Sequence, residues 1–399
     1  MRTRLFFFVS IVQAILFLTH WFVYATVAYF WGSAASSWGV KLAFGLLSVS
    51  FVLASLRGWY SFDPLVRLFY TASAVWLGFA SFFLLASVAC WMIYSVSTIA
   101  GWGWPPARIA DAAFALAVAA GLCALLNATW PRVARITIAL PNLPQQWRGR
   151  TAALVSDLHL GHVRNYRFVH RVVNRIAALE PDIVLVAGDL YDGVAGDFEN
   201  LARPWAELVS SQVAALGVFY IAGNHEEFYR DAEYLPPLLR TGIRVLNNEK
   251  VDVDGLQVVG VHYRDAVNPE QYRSILRGLR IDRSRASVLL LHAPVRLPIS
   301  EEEGISLQLS GHTHGGQFFP WTLVARRVWH KFNHGLQRFG KMQVYTTYGA
   351  GTWGPPFRLG TKPEIVLIRF EEAEATKHLK IAGPVQSGRR QILNTARTG

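Results

Sequence analysis

Ser310-Gly311-His312-Thr313-His314-Gly315-Gly316-Gln317 sets two histidines one residue apart among glycines. In an extended segment the i, i+2 spacing turns both imidazoles to one side, and glycine lets the backbone turn tightly and come close to an ion. The pair reads as a metal-ligand turn if the chain brings further ligands to it.

It does so in a repeating format. A short apolar run, the mark of a buried strand, ends abruptly in polar residues able to hold a metal. Residues 152–155 run into Ser156-Asp157-Leu158-His159, 183–187 into Gly188-Asp189-Leu190-Tyr191-Asp192, and 218–222 into Gly223-Asn224-His225-Glu226. Further on, 288–291 lead into His292 and 305–309 into the opening pair. Ligands gather beyond the carboxyl ends of strands in α/β sheets, so these endings predict one shared site. Between the first two runs, Phe168, Val172, Ile176 and Leu179 form a helical stripe, with Asn165 as N-cap and Pro181 past the end. Of its polar companions, Arg167, Arg171 and Arg175 read as a solvated face. Arg164, close to the His159 turn, is the one placed to reach phosphate.

Carboxylate, imidazole and amide oxygen without thiolate suit Mn²⁺, Fe²⁺ or Zn²⁺. Seven potential ligands (Asp157, His159, Asp189, Asn224, His292, His312 and His314) exceed what one tetrahedral ion takes, so two divalent metal ions are expected. A two-metal site clamps a phosphoryl oxygen and lowers the pKa of a bound water towards ~7. That chemistry is phosphoester hydrolysis.

The ordered set Asp-x-His, Gly-Asp-x-x-Asp, Gly-Asn-His-Glu, His and Gly-His-Thr-His-Gly-Gly-Gln resembles the calcineurin-like metallophosphoesterases, above all their membrane-anchored bacterial branch. The likeness covers about 136–370, including 355–358 and Pro363-Glu364-Ile365, which look like that branch's closing strand. It implies an α/β fold, a four-layer α/β/β/α sandwich of two mixed sheets flanked by helices. It also implies Asp157, His159 and His314 on one metal, Asn224, His292 and His312 on the other, and Asp189 bridging them. His225 would stay off the metals and face the substrate, stabilising the transition state or protonating the leaving oxygen, with Asp192 holding its ring. A carboxylate behind an imidazole fixes its orientation and favours its cationic form. Glu226 stands where the branch often has Asp. His162, His262 and His334 lie outside the motifs and are expected in loop or surface roles.

The 399 residues divide unevenly. Up to Trp130 the only charged side chains are Arg2, Arg4, Lys41, Arg57, Asp63, Arg67, Arg108 and Asp111; the remainder has a mixed, globular composition. A bilayer core takes roughly 20 apolar residues per helix, so 5–29, 42–56, 68–96 and 112–130 are expected to span it, the second being the shortest. A cleavable signal peptide is the alternative for the first, with Arg2 and Arg4 as its basic start. Its apolar core, however, exceeds the ~7–15 residues of a signal h-region. The expected organisation is an N-terminal transmembrane helical bundle (1–130), a linker and first strand at 136–140 (131–150), a catalytic domain (151–370) and a polar, partly flexible tail (371–399). Arg2, Arg4, Arg57, Arg67, Arg132 and Arg135 fall on one side of such a bundle and Lys41 and Arg108 on the other, which predicts a multi-pass cell-membrane protein with a cytoplasmic catalytic domain. No span carries the run of acids or bases that marks an ion pathway. Cys90 and Cys123 both sit in apolar stretches, which leaves no disulfide framework and no thiolate metal site.

The formal net charge of +12 favours anionic partners. From 304 to 363 there is no acidic residue, while Arg326, Arg327, Lys331, Arg338, Lys341, Arg358 and Lys362 are interleaved with Phe318, Phe319, Trp321, Trp329, Phe332 and Phe339. Such a segment can lie at a membrane surface, stack on a base, or pack beneath a loop. Arg164 and Arg358 are the candidate substrate-binding residues. The expected partners are membrane lipids and a phosphorylated, lipid-linked substrate, with no nucleic acid. Relatives of the resembled branch include enzymes that cleave the pyrophosphate of nucleotide-linked lipid A precursors. A soluble phosphodiester or phosphomonoester is the competing substrate, and a non-catalytic membrane scaffold the competing class.

Overall fold

The structure is a computed structural model that describes residues 2–32, 36–229 and 232–373. Four helices come first: α1 (Arg2–Trp31), α2 (Trp38–Gly58), α3 (Pro64–Ile99) and α4 (Pro106–Asn127). All four are long and apolar enough to cross a membrane. The second is longer than its sequence core suggested, at 21 residues. The fourth is shifted towards the N-terminus relative to 112–130, because Pro106 can open a helix at its first turn; Trp130 lies beyond its end. Asp63 caps α3 by accepting from the Leu65 and Val66 amides. Polar groups inside the bundle pair across helices: Trp76 Nε1 donates to His20 Nε2 at 2.8 Å and Trp91 Nε1 to Thr26 Oγ1 at 2.9 Å, as a lipid-filled surrounding requires.

The globular part follows at once. Its elements are β1 (Arg132–Leu140), β2 (Thr151–Val155), α5 (Tyr166–Ala177), β3 (Ile183–Val186), α6 (Phe198–Ser210), β4 (Val218–Tyr220), α7 (Leu235–Arg240), β5 (Arg244–Val245) and β6 (Glu249–Val253). Then come β7 (Leu256–Gly260), α8 (Pro269–Leu279), β8 (Ser287–Leu290), α9 (Leu297–Glu302), β9 (Leu307–Ser310), α10 (Trp321–Trp329), β10 (Gly335–Phe339), β11 (Met342–Thr346) and β12 (Glu364–Glu372). The stretch expected to begin as a linker starts instead as an edge strand: β1 pairs in parallel with β12 from Arg132 onward. β12 runs to Glu372, two residues into the stretch expected as a tail; residues 374–399 lie outside the described residues.

Two six-stranded sheets result, in the orders β1-β12-β2-β3-β4-β5 and β10-β11-β9-β8-β7-β6. Alternation along each strand builds the layers. Leu154, Leu185, Val258, Leu290, Leu309 and Ile368 meet between the sheets. On the outer face of the first sheet, Val155 and Val186 pack under Phe168 and Val172 of α5 and Trp205 of α6. Val259 and Leu289 of the second lie under Tyr272 and Leu276 of α8. Both faces of each sheet are covered, which is why the central strands read as unbroken apolar runs. This is the α/β/β/α sandwich; β2 to β5 run parallel in the first sheet and β7, β8, β9 and β11 in the second, while β1 and β12 run against β2.

The sandwich is docked onto the bundle. Ala195 N–H donates to the Gly58 carbonyl at 3.2 Å, and Arg358 N–H to that of Ala124 at 2.9 Å. His162, expected in a bland loop or surface role, is buried between the two parts. Its Nε2 lies 2.9 Å from the Gly58 oxygen and its ring packs on Tyr70 at 4.8 Å. Arg171, read as part of a solvated face, covers Trp130 instead, 4.4 Å from the ring centre.

Candidate metal centre

Every motif residue stands just past a strand's carboxyl end. β2 delivers Asp157 and His159, β3 Asp189 and Asp192, β4 Asn224 and His225, β8 His292, and β9 His312 and His314. Asp157, His159, Asp189, His312 and His314 all hold left-handed backbone, with φ between 48° and 71°. For residues other than glycine this costs about 1–3 kcal/mol each and persists only where the surroundings over-determine it. Glycine is required where the loops touch. A Cβ on Gly223 would come 2.2 Å from Asp189 Oδ1, and one on Gly311 2.2 Å from Asp157 Oδ2.

The side chains converge in overlapping groups. Asp157, His159 and His314 form one, with the two Nε2 atoms 3.0 Å apart and His314 Nε2 3.4 Å from Asp157 Oδ1. Asp189, His292 and His312 form another, with His292 Nε2 3.2 Å from Asp189 Oδ2. Asn224 joins the second through Oδ1, 2.7 Å from His312 Nδ1. Asp189 also groups with His159 and His225, so its carboxylate lies between the two sets.

These residues fit a cation. His292 Nδ1 faces the Ala187 carbonyl at 2.8 Å and so carries the proton there, while its buried Nε2 has no hydrogen-bond partner and points at the Asp189 carboxylate. A lone pair against a carboxylate is repulsive unless a proton or a metal ion lies between. Burial alone would lower the His292 pKa, yet Asp189 and Asp157 push it up to about 10, a measure of how strongly this spot draws positive charge. Asp189 stays ionised well below the usual range despite burial, held by His292 and His225. His314 is kept neutral by burial and by the Arg358 charge behind it, as a ligand imidazole must be.

A family model described as calcineurin-like phosphoesterase matches residues 151–316. An uncharacterized metallophosphoesterase of Aquifex aeolicus is 31% identical over 64% of this chain and 98% of its own length. The chain belongs to the calcineurin-like metallophosphoesterases. An uncharacterized metallophosphoesterase of Campylobacter jejuni is 30% identical over 60% of this chain and 63% of that protein. A Danio rerio transmembrane protein with metallophosphoesterase domain is 30% identical over 62% of this chain and 60% of its own. This metallophosphoesterase thus spans just under two thirds of the length of the first curated relatives it matches, 63% and 64%.

Around the ligands, the metallophosphoesterase chain corrects three expectations. Asp192 holds the His225 ring with its backbone: His225 Nδ1 is 2.9 Å from the Asp192 carbonyl oxygen, and the carboxylate lies 3.9 Å away. That carboxylate sits closer to His159 Nδ1, at 3.2 Å. Arg164 is buried and spends its guanidinium on the Ala128 carbonyl and Thr352 Oγ1, which turns it towards α4. Arg358 is fully buried behind His314, donating to the carbonyls of His314, Tyr348 and Gly351. Both arginines therefore brace the fold where contact with substrate was expected.

Sequence reasoning also passed over a clamp. The buried Glu226 carboxylate accepts the amides of Asp189, Tyr191 and Gly223 at 2.7–3.1 Å, tying the β3 and β4 loops together. Its pKa is raised by burial and by Asp189, to about 7. Its place after His225 was visible; its inward turn was not. Aromatic rings flank the site: Trp353 is 5.7 Å from His225, and Tyr263 and Trp329 are 5.8 and 5.5 Å from His312.

Proposed function

We propose that the chain is a membrane-anchored, two-metal phosphohydrolase of the bacterial branch marked by Gly-His-Thr-His-Gly-Gly-Gln, cleaving a phosphodiester or pyrophosphate bond of a lipid-linked substrate. The observation that carries this reading is the convergence of two ligand groups, Asp157 with His159 and His314 and Asp189 with His292 and His312, with Asp189 also grouped with His159 of the first. Asp157, His159 and His314 would hold one ion and Asn224, His292 and His312 the other, with Asp189 bridging. Bound Mn²⁺, Fe²⁺ or Zn²⁺ ions would supply Lewis-acid charge for the phosphoryl oxygens and acidify water.

The chain's own groups do the rest. His225 Nδ1 donates to the Asp192 carbonyl, so only in the protonated ring would Nε2 carry the second proton, to donate to a substrate oxygen or hand to the leaving group. Trp353 and Tyr263 narrow the access to that nitrogen and to His312. The arginines near span ends support a cytoplasmic catalytic domain. The lipid-linked substrate is supported by the direct docking of the sandwich on four membrane-length helices.

Purified protein should bind about two metal ions per chain. Asp189→Asn should lose metal and hydrolysis together, whereas His225→Ala should keep its metal and lose about 10²–10⁴-fold in rate. A folded Asp189→Asn protein with unchanged metal content and activity would refute the site. Turnover of soluble diesters only, in a detergent-solubilised preparation offered both substrate types, would refute the lipid-linked substrate.

A further inference from the structure

α10 carries two stripes at helical spacing. Thr322 and Ala325 are buried and Trp329, on the same stripe, is half-buried against His312. Trp321, Val324 and Val328 form the outward stripe, joined by Phe319 and Leu323. These five large apolar side chains are exposed by 44% (Phe319) to 60% (Val328). On a water-facing surface such a contiguous patch is unfavourable and marks an interaction site. Arg326 and Arg327 stand exposed among them.

The position of this patch says what covers it. Arg358 N–H donates to the Ala124 carbonyl near the end of α4, and Asn127 donates to the Arg358 and Thr361 carbonyls. Segment 357–361 therefore sits at the height where α4 leaves the bundle for the sandwich. Phe319 N–H donates to the Leu359 carbonyl, and Phe318 packs on Phe82 of α3 at 5.8 Å. Phe319 and Leu359 also line a groove of ≈ 670 Å³ between α3 and α4, together with Phe82, Ile109, Leu116 and Ala120. The apolar surface of α10 is thus continuous with the lipid-facing surface of the bundle.

We propose that α10, with Phe319, lies in the interfacial layer of the bilayer that α1–α4 cross, its apolar stripe among acyl chains and Arg326 and Arg327 among anionic headgroups. A short amphipathic helix with basic flanks suits that layer, and each arginine near an anionic surface strengthens the attachment. The stretch 304–363 has no acidic side chain to oppose it. Because Trp329 links α10 to His312, the mouth of the metal centre is then set at headgroup level. The placement stands whether or not the centre hydrolyses a lipid.

The test uses the full chain in nanodiscs of phosphatidylcholine and phosphatidylglycerol. Cys90 and Cys123 are replaced by Ala, and a Val324→Cys or Gln212→Cys variant is labelled with an environment-sensitive fluorophore; Gln212, exposed in the turn between α6 and the start of β4, lies towards the amino ends of the strands whose carboxyl ends carry the site. The Val324 label should be quenched several-fold more by doxyl-labelled lipid than by iodide, and the Gln212 label the reverse. Arg326→Glu with Arg327→Glu should reduce the lipid quenching more in anionic than in neutral discs. Iodide quenching of the Val324 label equal to that at Gln212 would overturn the proposal. Shielding from both quenchers would assign the patch to a second copy or another protein and overturn it equally. Should the cysteine-free chain fail to fold, Trp321→Phe in the native background answers the same question. It should lose part of the tryptophan emission that brominated lipid quenches, and no change in that fraction would refute the placement.

Discussion

The Nη2 atom of Arg358 lies 3.0 Å from Nδ1 of His314, while the Arg358 amide donates to Ala124 on a membrane helix. One residue so connects the bundle to a candidate metal ligand. Arg358→Lys keeps the charge but cannot span the carbonyls of His314, Tyr348 and Gly351 that the planar guanidinium reaches. It should cost about 10–100-fold in metal affinity or activity, measured by metal titration; full retention would show that charge alone suffices.

Asp192→Asn separates the two oxygens of that residue that face histidines. The carbonyl on His225 survives, and the carboxylate 3.2 Å from His159 is neutralised. Metal affinity should fall about 10–100-fold, with the His225-dependent limb of the pH–rate profile moving only slightly, to lower pH, as a nearby carboxylate is lost. A large shift of that limb at unchanged metal affinity would return the carboxylate to His225.

Gly223→Ala drives a Cβ to 2.2 Å from Asp189 Oδ1 and 2.5 Å from the Asp189 amide nitrogen. Overpacking of this kind costs about 1–3 kcal/mol, and here it also displaces the shared carboxylate. Thermal unfolding should shift down by several degrees and bound metal should be lost. The wild-type metal content in this variant would argue that the loops can spread.

Glu364 gives the fold an acid limit. Burial raises its pKa, but hydrogen bonding to His334 and the acceptance of the Tyr348 amide and Thr347 hydroxyl outweigh that, leaving it below the ordinary 4.5. A depressed carboxyl contributes stability above its unfolded pKa and loses it as pH falls through the folded value. Wild-type stability should therefore decline below pH ~4.5. Glu364→Gln should be destabilised by about 1–3 kcal/mol near neutrality, with a flatter acid limb in denaturant titrations.

Gly78 on α3 faces Phe357, and a Cβ there would approach the ring to 2.4 Å. Gly78→Val should loosen the sandwich from the bundle, exposing the chain near Pro131 to proteolysis and lowering activity in detergent. Phe357→Ala, which empties a fully buried site, should cost about 3–5 kcal/mol. Equal protease resistance in both variants and wild type would mean that the remaining contacts suffice.

The sandwich strands and the convergence of the candidate ligands were legible in the sequence because their signals are local. An apolar run such as 183–187 followed by Gly-Asp marks both the strand and its functional end. Helix α5 was equally plain, its Asn165 side chain capping the Arg167 amide as the spacing implied. The edge strand β1 was half-hidden, since its partner β12 lies over 200 residues away in register.

By itself the sequence determined which residues could hold metal, in what order, and that an apolar third precedes them, because hydrophobic periodicity and ligand chemistry belong to short stretches of chain. Only the tertiary structure decided what each charged group faces. Arg358 and His314 are 44 residues apart, His162 and Gly58 are 104, and Arg164 and Thr352 are 188. A buried charge must find partners wherever packing brings them. That choice turned two expected phosphate binders into braces and a surface histidine into the joint between membrane bundle and sandwich.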